Sequence, residues 1–175
     1  MQKVTLFLLI IVLFFLISSF NTAGKEKIKW LTVSEMQAAY NLSPKPILID
    51  VYTSWCGWCK VMDKATYKND KVVNYVNNHF YAVRIDAESK EVFVWAGKKY
   101  DYSLQSKTNS LAVYLLNGQM SFPTTVFLAD LNAPPAPLAG YLKPVEIEAP
   151  LKFFGDGIFK SATFSAFSQS FKSTW

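Results

Sequence analysis

Apolar and polar positions along the chain switch between the spacing of strands and that of helices, which predicts a mixed α/β fold. Residues 47–52 (ILIDVY) form a nearly continuous apolar run bounded by turn residues, and they predict a buried parallel strand. Residues 81–86 (YAVRID) predict a second central strand. Between them, residues 57–79 carry apolar side chains at helical spacing, and residues 67–70 are expected to interrupt or kink that helix.

The remaining pattern predicts an insertion and a helical end. Ser34 is the expected N-cap of a first helix. Short runs around Ala96-Gly97 predict a β-hairpin over residues 91–102, which we interpret as cover for a sheet edge, although it could also face a substrate. The other predicted elements are a helix over 110–116, strands over 124–128 and 138–142, a helix from 144 to about 154, and a tail helix with Phe164, Phe167 and Phe171 on one face.

The N-terminal segment has the layout of an export signal. Lys3 precedes the apolar residues 4–17, and small and polar residues follow over 18–24. The apolar stretch is short for a full membrane span, which needs about 20 residues. We therefore expect residues 1–23 to be a signal peptide, with a retained N-terminal membrane anchor as the alternative.

The length and charge of the chain limit its number of domains and the partners that it can bind. The chain has 175 residues, enough for one domain with a sizeable core. Its formal net charge is +5, and loss of residues 1–23 would remove only Lys3 and leave +4. The lysines are scattered among acidic residues, which argues against nucleic acid as a partner.

The chain contains only two cysteines, Cys56 and Cys59. Their loop is too short to connect distant segments or to restrict the unfolded chain much, so the pair indicates chemistry. At a helix start, Cys56 would have a lowered thiol pKa and act as the nucleophile, with Cys59 one turn deeper as the resolving thiol. Zinc binding and an inert disulfide are the alternatives, but His79 is the only histidine, and zinc sites need three or four protein ligands. We expect no metal and no cofactor.

The cysteine motif and two later segments resemble the thioredoxin superfamily. Residues 47–60 (ILIDVYTSWCGWCK) resemble its active-site segment, residues 121–127 (SFPTTVF) its cis-proline loop, and residues 140–144 (GYLKP) its last strand entering the final helix. The resemblance spans roughly residues 28–157, is greatest to exported bacterial thioredoxin-like proteins, and leaves 158–175 as a C-terminal helical extension. It implies a thioredoxin-like α/β sandwich, in which a central mixed sheet has helices on both faces and an inserted β-hairpin.

The resemblance also implies roles for individual residues. Cys56 and Cys59 would be the redox pair, and Asp50 the buried carboxylate that helps to deprotonate Cys59. A structural Asp50 paired with a cation is the alternative. Pro123 would follow a cis peptide bond and face Cys56. The substrate-binding residues would be Trp55, Gly57, Trp58, Phe122 and Pro123, with the Phe122 backbone pairing with a substrate peptide.

Two departures from the family pattern leave the direction of electron transfer open. Trp58 stands where thioredoxin has proline, and Arg84 where the family often has lysine. We expect a thiol–disulfide oxidoreductase, more a reductase or isomerase than a disulfide-introducing oxidant, in the periplasm or on the outer side of the inner membrane. The remaining alternative is a non-catalytic binding or chaperone-like module. The expected partners are protein thiols or disulfides and a membrane electron donor.

Overall fold

A five-stranded mixed sheet forms the centre of residues 26–175, the part of the chain that the computed structural model describes. The predicted signal peptide or anchor over residues 1–23 lies outside the described residues. In spatial order the strands are β1 (Trp30–Leu31), β3 (Tyr81–Asp86), β2 (Ile47–Tyr52), β8 (Thr124–Leu128) and β9 (Ala136–Ala139). β2 pairs in parallel with β3 and antiparallel with β8.

Helices cover both faces of this sheet, which confirms the predicted α/β sandwich. α1 (Val33–Leu42) and α4 (Ser110–Leu115) pack on one face. α2 (Gly57–Ala65), α3 (Asp70–His79) and α5 (Pro144–Gly155) pack on the other. Because apolar neighbours lie on both sides, the first five residues of β2 are all buried, which explains its continuous apolar run.

The helix predicted over residues 57–79 is divided in two, as expected. α2 ends before Thr66, and Asn69 caps the start of α3. The Asn69 side chain accepts hydrogen bonds from the backbone N–H groups of Lys71 and Val72. A strong N-cap residue in the middle of an apolar pattern therefore marks a new helix.

The first helix begins earlier than predicted because Thr32, not Ser34, is its N-cap. The Thr32 hydroxyl accepts a hydrogen bond from the backbone N–H of Glu35, and the Glu35 carboxylate accepts one from the backbone N–H of Thr32. This reciprocal capping box satisfies two donors that a helix start otherwise leaves unpaired.

The inserted hairpin has the predicted turn. β4 (Phe93–Trp95) and β5 (Lys98–Tyr100) pair antiparallel, and Ala96 and Gly97 have φ angles of 48° and 79°. The Gln37 side chain of α1 donates to the Val94 carbonyl of β4 and accepts from the Ala96 N–H, so the hairpin packs on α1. A second small pair, β6 (Tyr102–Ser103) with β7 (Thr108–Asn109), follows it.

The last strand begins and ends two to three residues earlier than predicted. Its register pairs Thr124 with Ala139, and Gly140, with a φ of 98°, then turns the chain away. The proline-rich run over 133–137 predicts a turn, but Pro137 lies within β9. Proline is tolerated there because β9 is an edge strand of the sheet.

Residues 158–175 fold back onto α5. A short 3₁₀ turn (Ile158–Lys160) leads into α6 (Phe164–Ser170). The rings of Phe164 and Phe167 contact Phe153, with centroid distances of 5.3 and 5.7 Å. The predicted tail helix therefore packs on α5 through Phe164 and Phe167. Within residues 26–175, no helix is both long and apolar enough to cross a membrane.

The final residues surround a buried carboxylate. Glu148 of α5 is fully buried and accepts hydrogen bonds from Ser173, Thr174 and Trp175. Lys152 lies 3.7 Å away as an ionic partner. Burial raises the pKa of Glu148, but the hydrogen bonds outweigh burial and lower that pKa below its usual value.

Candidate active site

The two cysteines lie at the carboxyl end of β2, where several loops converge. The Cys56 N–H donates to the Thr53 carbonyl at 3.2 Å, which closes a tight turn between β2 and α2. Because β3 and β9 run in the same direction as β2, and β8 runs in the opposite one, the chain after β3, before β8 and after β9 reaches this same edge. The fold thus brings three separate segments to the cysteine motif.

Cys56 and Cys59 form a disulfide, with Cα atoms 5.3 Å apart. Cys56 is the N-cap of α2, and its Sγ accepts a hydrogen bond from the Cys59 N–H at 3.0 Å. A sulfur at this position lies at the positive end of the helix dipole. When the disulfide is reduced, the same environment favours the thiolate form of Cys56.

Exposure does not distinguish the two cysteines in this oxidised state. Cys56 is 5% exposed and Cys59 is 6% exposed, so the expectation that Cys59 lies deeper was wrong for the disulfide form. The assignment of Cys56 as nucleophile therefore depends on its capping position, not on its accessibility.

Two exposed tryptophans flank the disulfide, and each contacts a second ring. Trp55 is 65% exposed and meets Phe122 edge-on, with ring centroids 6.0 Å apart. Its indole Nε1 donates to the Glu88 carboxylate at 2.9 Å. Trp58 is 64% exposed and stacks on Tyr141 at 5.8 Å. Large apolar rings left in water beside a reactive disulfide form a surface suited to a partner.

The predicted proline loop has the implied cis peptide bond. The peptide bond between Phe122 and Pro123 is cis, and both residues directly precede β8 at the edge where the cysteines lie. Gly57 is the first residue of α2, and a Cβ added to it would meet no atom within 4 Å. The space beside the motif backbone is therefore open to an approaching chain.

Asp50 lies in the interior beneath this surface. It is 2% exposed, and its Oδ2 accepts a hydrogen bond from Arg84 Nε at 3.0 Å. Burial raises the pKa of Asp50 to about 6, and the positive charge and hydrogen bond of Arg84 only partly oppose that rise. Strand alternation places Asp50 on the same face as Leu48, which belongs to the same buried apolar cluster as Met62 of α2. The carboxyl group therefore faces the helix that carries Cys59.

Arg84 is held in place from several sides. Its guanidinium carbon lies 5.3 Å from the centre of the Trp30 ring and 4.8 Å from that of Tyr52. A second nitrogen contacts Asp63 of α2 at 3.3 Å. The expected pairing of Asp50 with Arg84 is thus present, in a network that joins β2, β3 and α2.

Three residues of this site were not predicted from the sequence: Glu88, Asp63 and Tyr141. Glu88 and Asp63 have the sequence signal of ordinary surface acids. Tyr141 lies in a segment that resembles the family, but its stacking on Trp58 depends on how β9 is placed.

The histidine weighed as a zinc ligand lies elsewhere in the fold. His79 is the last residue of α3 and stacks on Tyr75, with ring centroids 4.1 Å apart. Across residues 26–175, no group of three or more His, Cys, Asp or Glu side chains could hold a metal ion.

A match to a known family model shows which protein family the chain belongs to. Residues 18–153 match the family model Thioredox_DsbH, described as a protein of unknown function, DUF255. The chain belongs to the thioredoxin-like DsbH family. The solved structure of a DsbH oxidoreductase has the same fold, with a TM-score of 0.54 and 16% identity over 79% of this chain and 92% of that one. A thioredoxin from Thermus thermophilus gives a TM-score of 0.53 at 15% identity, over 72% of this chain and 85% of that one.

Curated relatives of this DsbH-family chain match only a short part of it. The match to thiol:disulfide interchange protein DsbD of Pectobacterium atrosepticum is 31% identical over 45 residues, 26% of this chain and 8% of that protein. An uncharacterised protein of Caenorhabditis elegans is 37% identical over 46 residues, 26% of this chain and 6% of that protein. The chain thus spans less than a tenth of the length of these relatives. Family and fold together thus identify a thioredoxin-like domain, and this domain carries the Cys56–Cys59 disulfide.

Proposed function

We propose that this DsbH-family protein exchanges disulfides with protein substrates outside the cytoplasm, as a reductase or isomerase. The observation that carries the proposal is the position of Cys56. Its sulfur caps α2, accepts the Cys59 N–H and lies at the sheet edge that also carries the cis-proline loop. A thiolate at such a position is stabilised by the helix start and can attack a substrate disulfide.

The exchange proceeds in two steps. The Cys56 thiolate attacks one sulfur of the substrate disulfide, and the other substrate sulfur leaves as a thiolate. The Cys59 thiolate then attacks Sγ of Cys56 and releases the second substrate sulfur, so that two electrons pass from the pair to the substrate. Asp50 is the proposed acceptor of the Cys59 proton. With its pKa raised to about 6, it is mostly ionised at neutral pH and still basic enough to take a proton.

Arg84 is a positioning residue in this scheme. Arginine stays charged, so it cannot exchange a proton with Asp50, but it can orient the carboxylate. Its contact with Asp63 ties that orientation to α2, the helix that carries Cys59.

Reductive activity outside the cytoplasm requires a source of electrons, for which a membrane protein is the proposed donor. The charge and apolar pattern of residues 1–23 supports export, with either release into the periplasm or retention at the inner membrane. The reduction potential of the Cys56–Cys59 pair separates the directions of catalysis. A value near −270 mV, roughly that of thioredoxin, favours a reductase, and a value near −120 mV, roughly that of DsbA, favours an oxidant.

An insulin-reduction assay tests the activity. With dithiothreitol as donor, the domain over residues 24–175 should accelerate insulin precipitation, and Cys56→Ser should abolish the acceleration. Cys59→Ser should instead accumulate mixed disulfides, which mass spectrometry of trapped complexes would identify. Equal rates for the wild type and Cys56→Ser would contradict the proposed function.

A further inference from the structure

A buried pair of hydroxyl groups lies beside Asp50 and has no part in the proposed exchange steps. Tyr67 belongs to the turn between α2 and α3, and Thr125 is the second residue of β8. Tyr67 is 3% exposed, Thr125 is fully buried, and their hydroxyl oxygens are 3.0 Å apart. Burying two hydroxyl groups costs free energy unless both are hydrogen-bonded, so each of them needs partners in this interior.

The fold holds the Tyr67 ring against the network that fixes Asp50. The backbone N–H of Tyr67 donates to the Met62 carbonyl at 3.1 Å. The Tyr67 ring meets Trp30 edge-on, with centroids 5.2 Å apart, and the Trp30 ring in turn contacts the guanidinium of Arg84. Burial raises the pKa of the Tyr67 phenol, and the negative charge of Asp50 adds to that rise. The phenol therefore keeps its proton throughout the neutral pH range.

Thr125 lies directly across the sheet from Asp50. The antiparallel register of β2 and β8 pairs these two residues. Side chains paired in this way project from the same face of the sheet, with Cβ atoms about 4.5 to 5.5 Å apart. That spacing is short enough for the Thr125 hydroxyl to reach the Asp50 carboxylate with a hydrogen bond.

The hydrogen bonds of this region leave one donor and one acceptor unused. The bond between the two hydroxyl groups is the only one that either makes within residues 26–175, and it uses one of their two protons. In the same part of the chain, with the disulfide closed, the Asp50 carboxylate accepts from Arg84 through Oδ2, and Oδ1 accepts no hydrogen bond. When Tyr67 donates to Thr125, Thr125 still has a proton to donate, and Oδ1 can accept it.

We propose that Tyr67 and Thr125 are positioning residues that hold a hydroxyl donor against ionised Asp50 in the reduced protein, and so set the pH range in which Asp50 takes the Cys59 proton. The inference rests on the proposed function, in which Asp50 is that acceptor. The Tyr67 O–H donates to Thr125 Oγ1, and the Thr125 O–H donates to Asp50 Oδ1. Both hydroxyl groups keep their protons, and the proton that moves passes from Cys59 to Asp50. The other charged or titratable side chains around Asp50 come from β3, α2 and β2, and they are Arg84, Asp63 and Tyr52.

Variants that each remove one hydroxyl test the pair. In the reduced protein, carbon-13 NMR of the Asp50 carboxyl carbon gives its pKa directly. Thr125→Val should raise that pKa by about 1, because the ionised form loses a donor, and Tyr67→Phe should raise it by less. Thr125→Ser keeps a hydroxyl and should keep the wild-type pKa. Tyr81→Phe is the matched control, because it removes a tyrosine hydroxyl that donates to the Ser43 carbonyl at the opposite end of the sheet; it should leave the pKa of Asp50 unchanged.

The rate of the Cys59 step gives the second readout. Stopped-flow mixing of the reduced protein with a symmetric nitrobenzoate disulfide separates the two steps, because attack by Cys56 and attack by Cys59 each release one coloured thiolate. At a pH equal to the wild-type pKa of Asp50, Thr125→Val should slow the second release about fivefold, since its ionised fraction of Asp50 falls from one half to about one eleventh. Two pH units higher, the two rates should be nearly equal. A merely structural role would lower the rate by the same factor at both pH values.

Three results would overturn the inference: an unchanged pKa of Asp50 in Thr125→Val, an equal rise in Tyr81→Phe, or a raised pKa that leaves the pH profile of the second release unmoved. The insulin assay distinguishes these outcomes from a failure of the proposed function. If Cys56→Ser still abolishes insulin reduction, only the role of the hydroxyl pair is refuted. If the wild type reduces insulin no faster than Cys56→Ser, disulfide exchange itself is refuted.

Discussion

The substitution Asp50→Asn measures how much unfolding free energy the domain loses by keeping an ionised carboxylate in its interior. Asp50 is 2% exposed, and burial raises its pKa from 3.8 to about 6 despite the nearby Arg84. A carboxyl group with a higher pKa in the folded state binds its proton more tightly there. The protonated carboxyl group of Asp50 therefore stabilises the folded state fully below about pH 4. This stabilisation is lost as the pH rises through about 6 and the group ionises.

The size of this loss follows from the pKa difference. Because one pKa unit corresponds to about 1.36 kcal/mol, ionised Asp50 costs the folded state about 3 kcal/mol. Asparagine has nearly the same shape and no charge, and Arg84 keeps Asp63 as an ionic partner. Asp50→Asn should thus be about 3 kcal/mol more stable than the wild type at pH 8, equivalent to about 6 to 12 °C in melting temperature. At pH 3 the two proteins should be nearly equal in stability.

Urea unfolding of the oxidised proteins between pH 3 and pH 8 provides the measurement. Asp63→Asn is the control, because Asp63 also contacts Arg84 but is 36% exposed and should shift the unfolding free energy by less than about 1 kcal/mol. A stability difference for Asp50→Asn that does not change with pH would refute the reasoning, as would a wild type that is the more stable protein at pH 8. The same variant should slow the release of mixed disulfides, since it lacks the proposed proton acceptor.

Two further predictions concern the C-terminal half. Glu148→Gln should lower the unfolding free energy at pH 7 by about 1.5 to 3 kcal/mol, because it weakens the hydrogen bonds from residues 173–175. Since the pKa of Glu148 is lowered on folding, its stabilising contribution is present above about pH 4.5 and is lost as the pH falls through the folded-state pKa, so urea unfolding near pH 2 should no longer separate the two proteins. Gly155→Ala should destabilise the domain by about 1 to 3 kcal/mol, because a Cβ there would lie 2.7 Å from the Tyr75 hydroxyl. Gly57→Ala meets no atom within 4 Å and is the matched control; equal melting temperatures for the two alanine variants would contradict the steric argument.

The sequence was sufficient for the parts of the fold and site that depend on local pattern. β2 and the cysteine motif were predictable because a strand buried on both faces is apolar throughout, and because the spacing of Cys56 and Cys59 is itself the signal. The break between α2 and α3 was predictable because Asn69, a strong N-cap residue, stands in the middle of the apolar helical pattern. The start of α1 was misplaced because Thr32 and Ser34 are both good caps, and only the pairing with Glu35 distinguishes them.

What the sequence could not provide depends on the order of strands in space. Glu88 and Tyr141 are more than 50 positions apart, and they reach the cysteines because β3 and β9 end at one edge of the sheet. The near-equal burial of Cys56 and Cys59 likewise depends on tertiary packing around the disulfide, which a helical spacing of three residues does not specify.

The placement of Trp55 and Trp58 beside the disulfide also has an optical consequence. Disulfides quench the fluorescence of neighbouring indoles, and both of these indoles adjoin the bond between Cys56 and Cys59. Trp95, by contrast, is buried in the core on the opposite face of the sheet and would contribute a constant background. The protein therefore carries its own reporter of oxidation state, and emission intensity can follow electron transfer in real time without any added label.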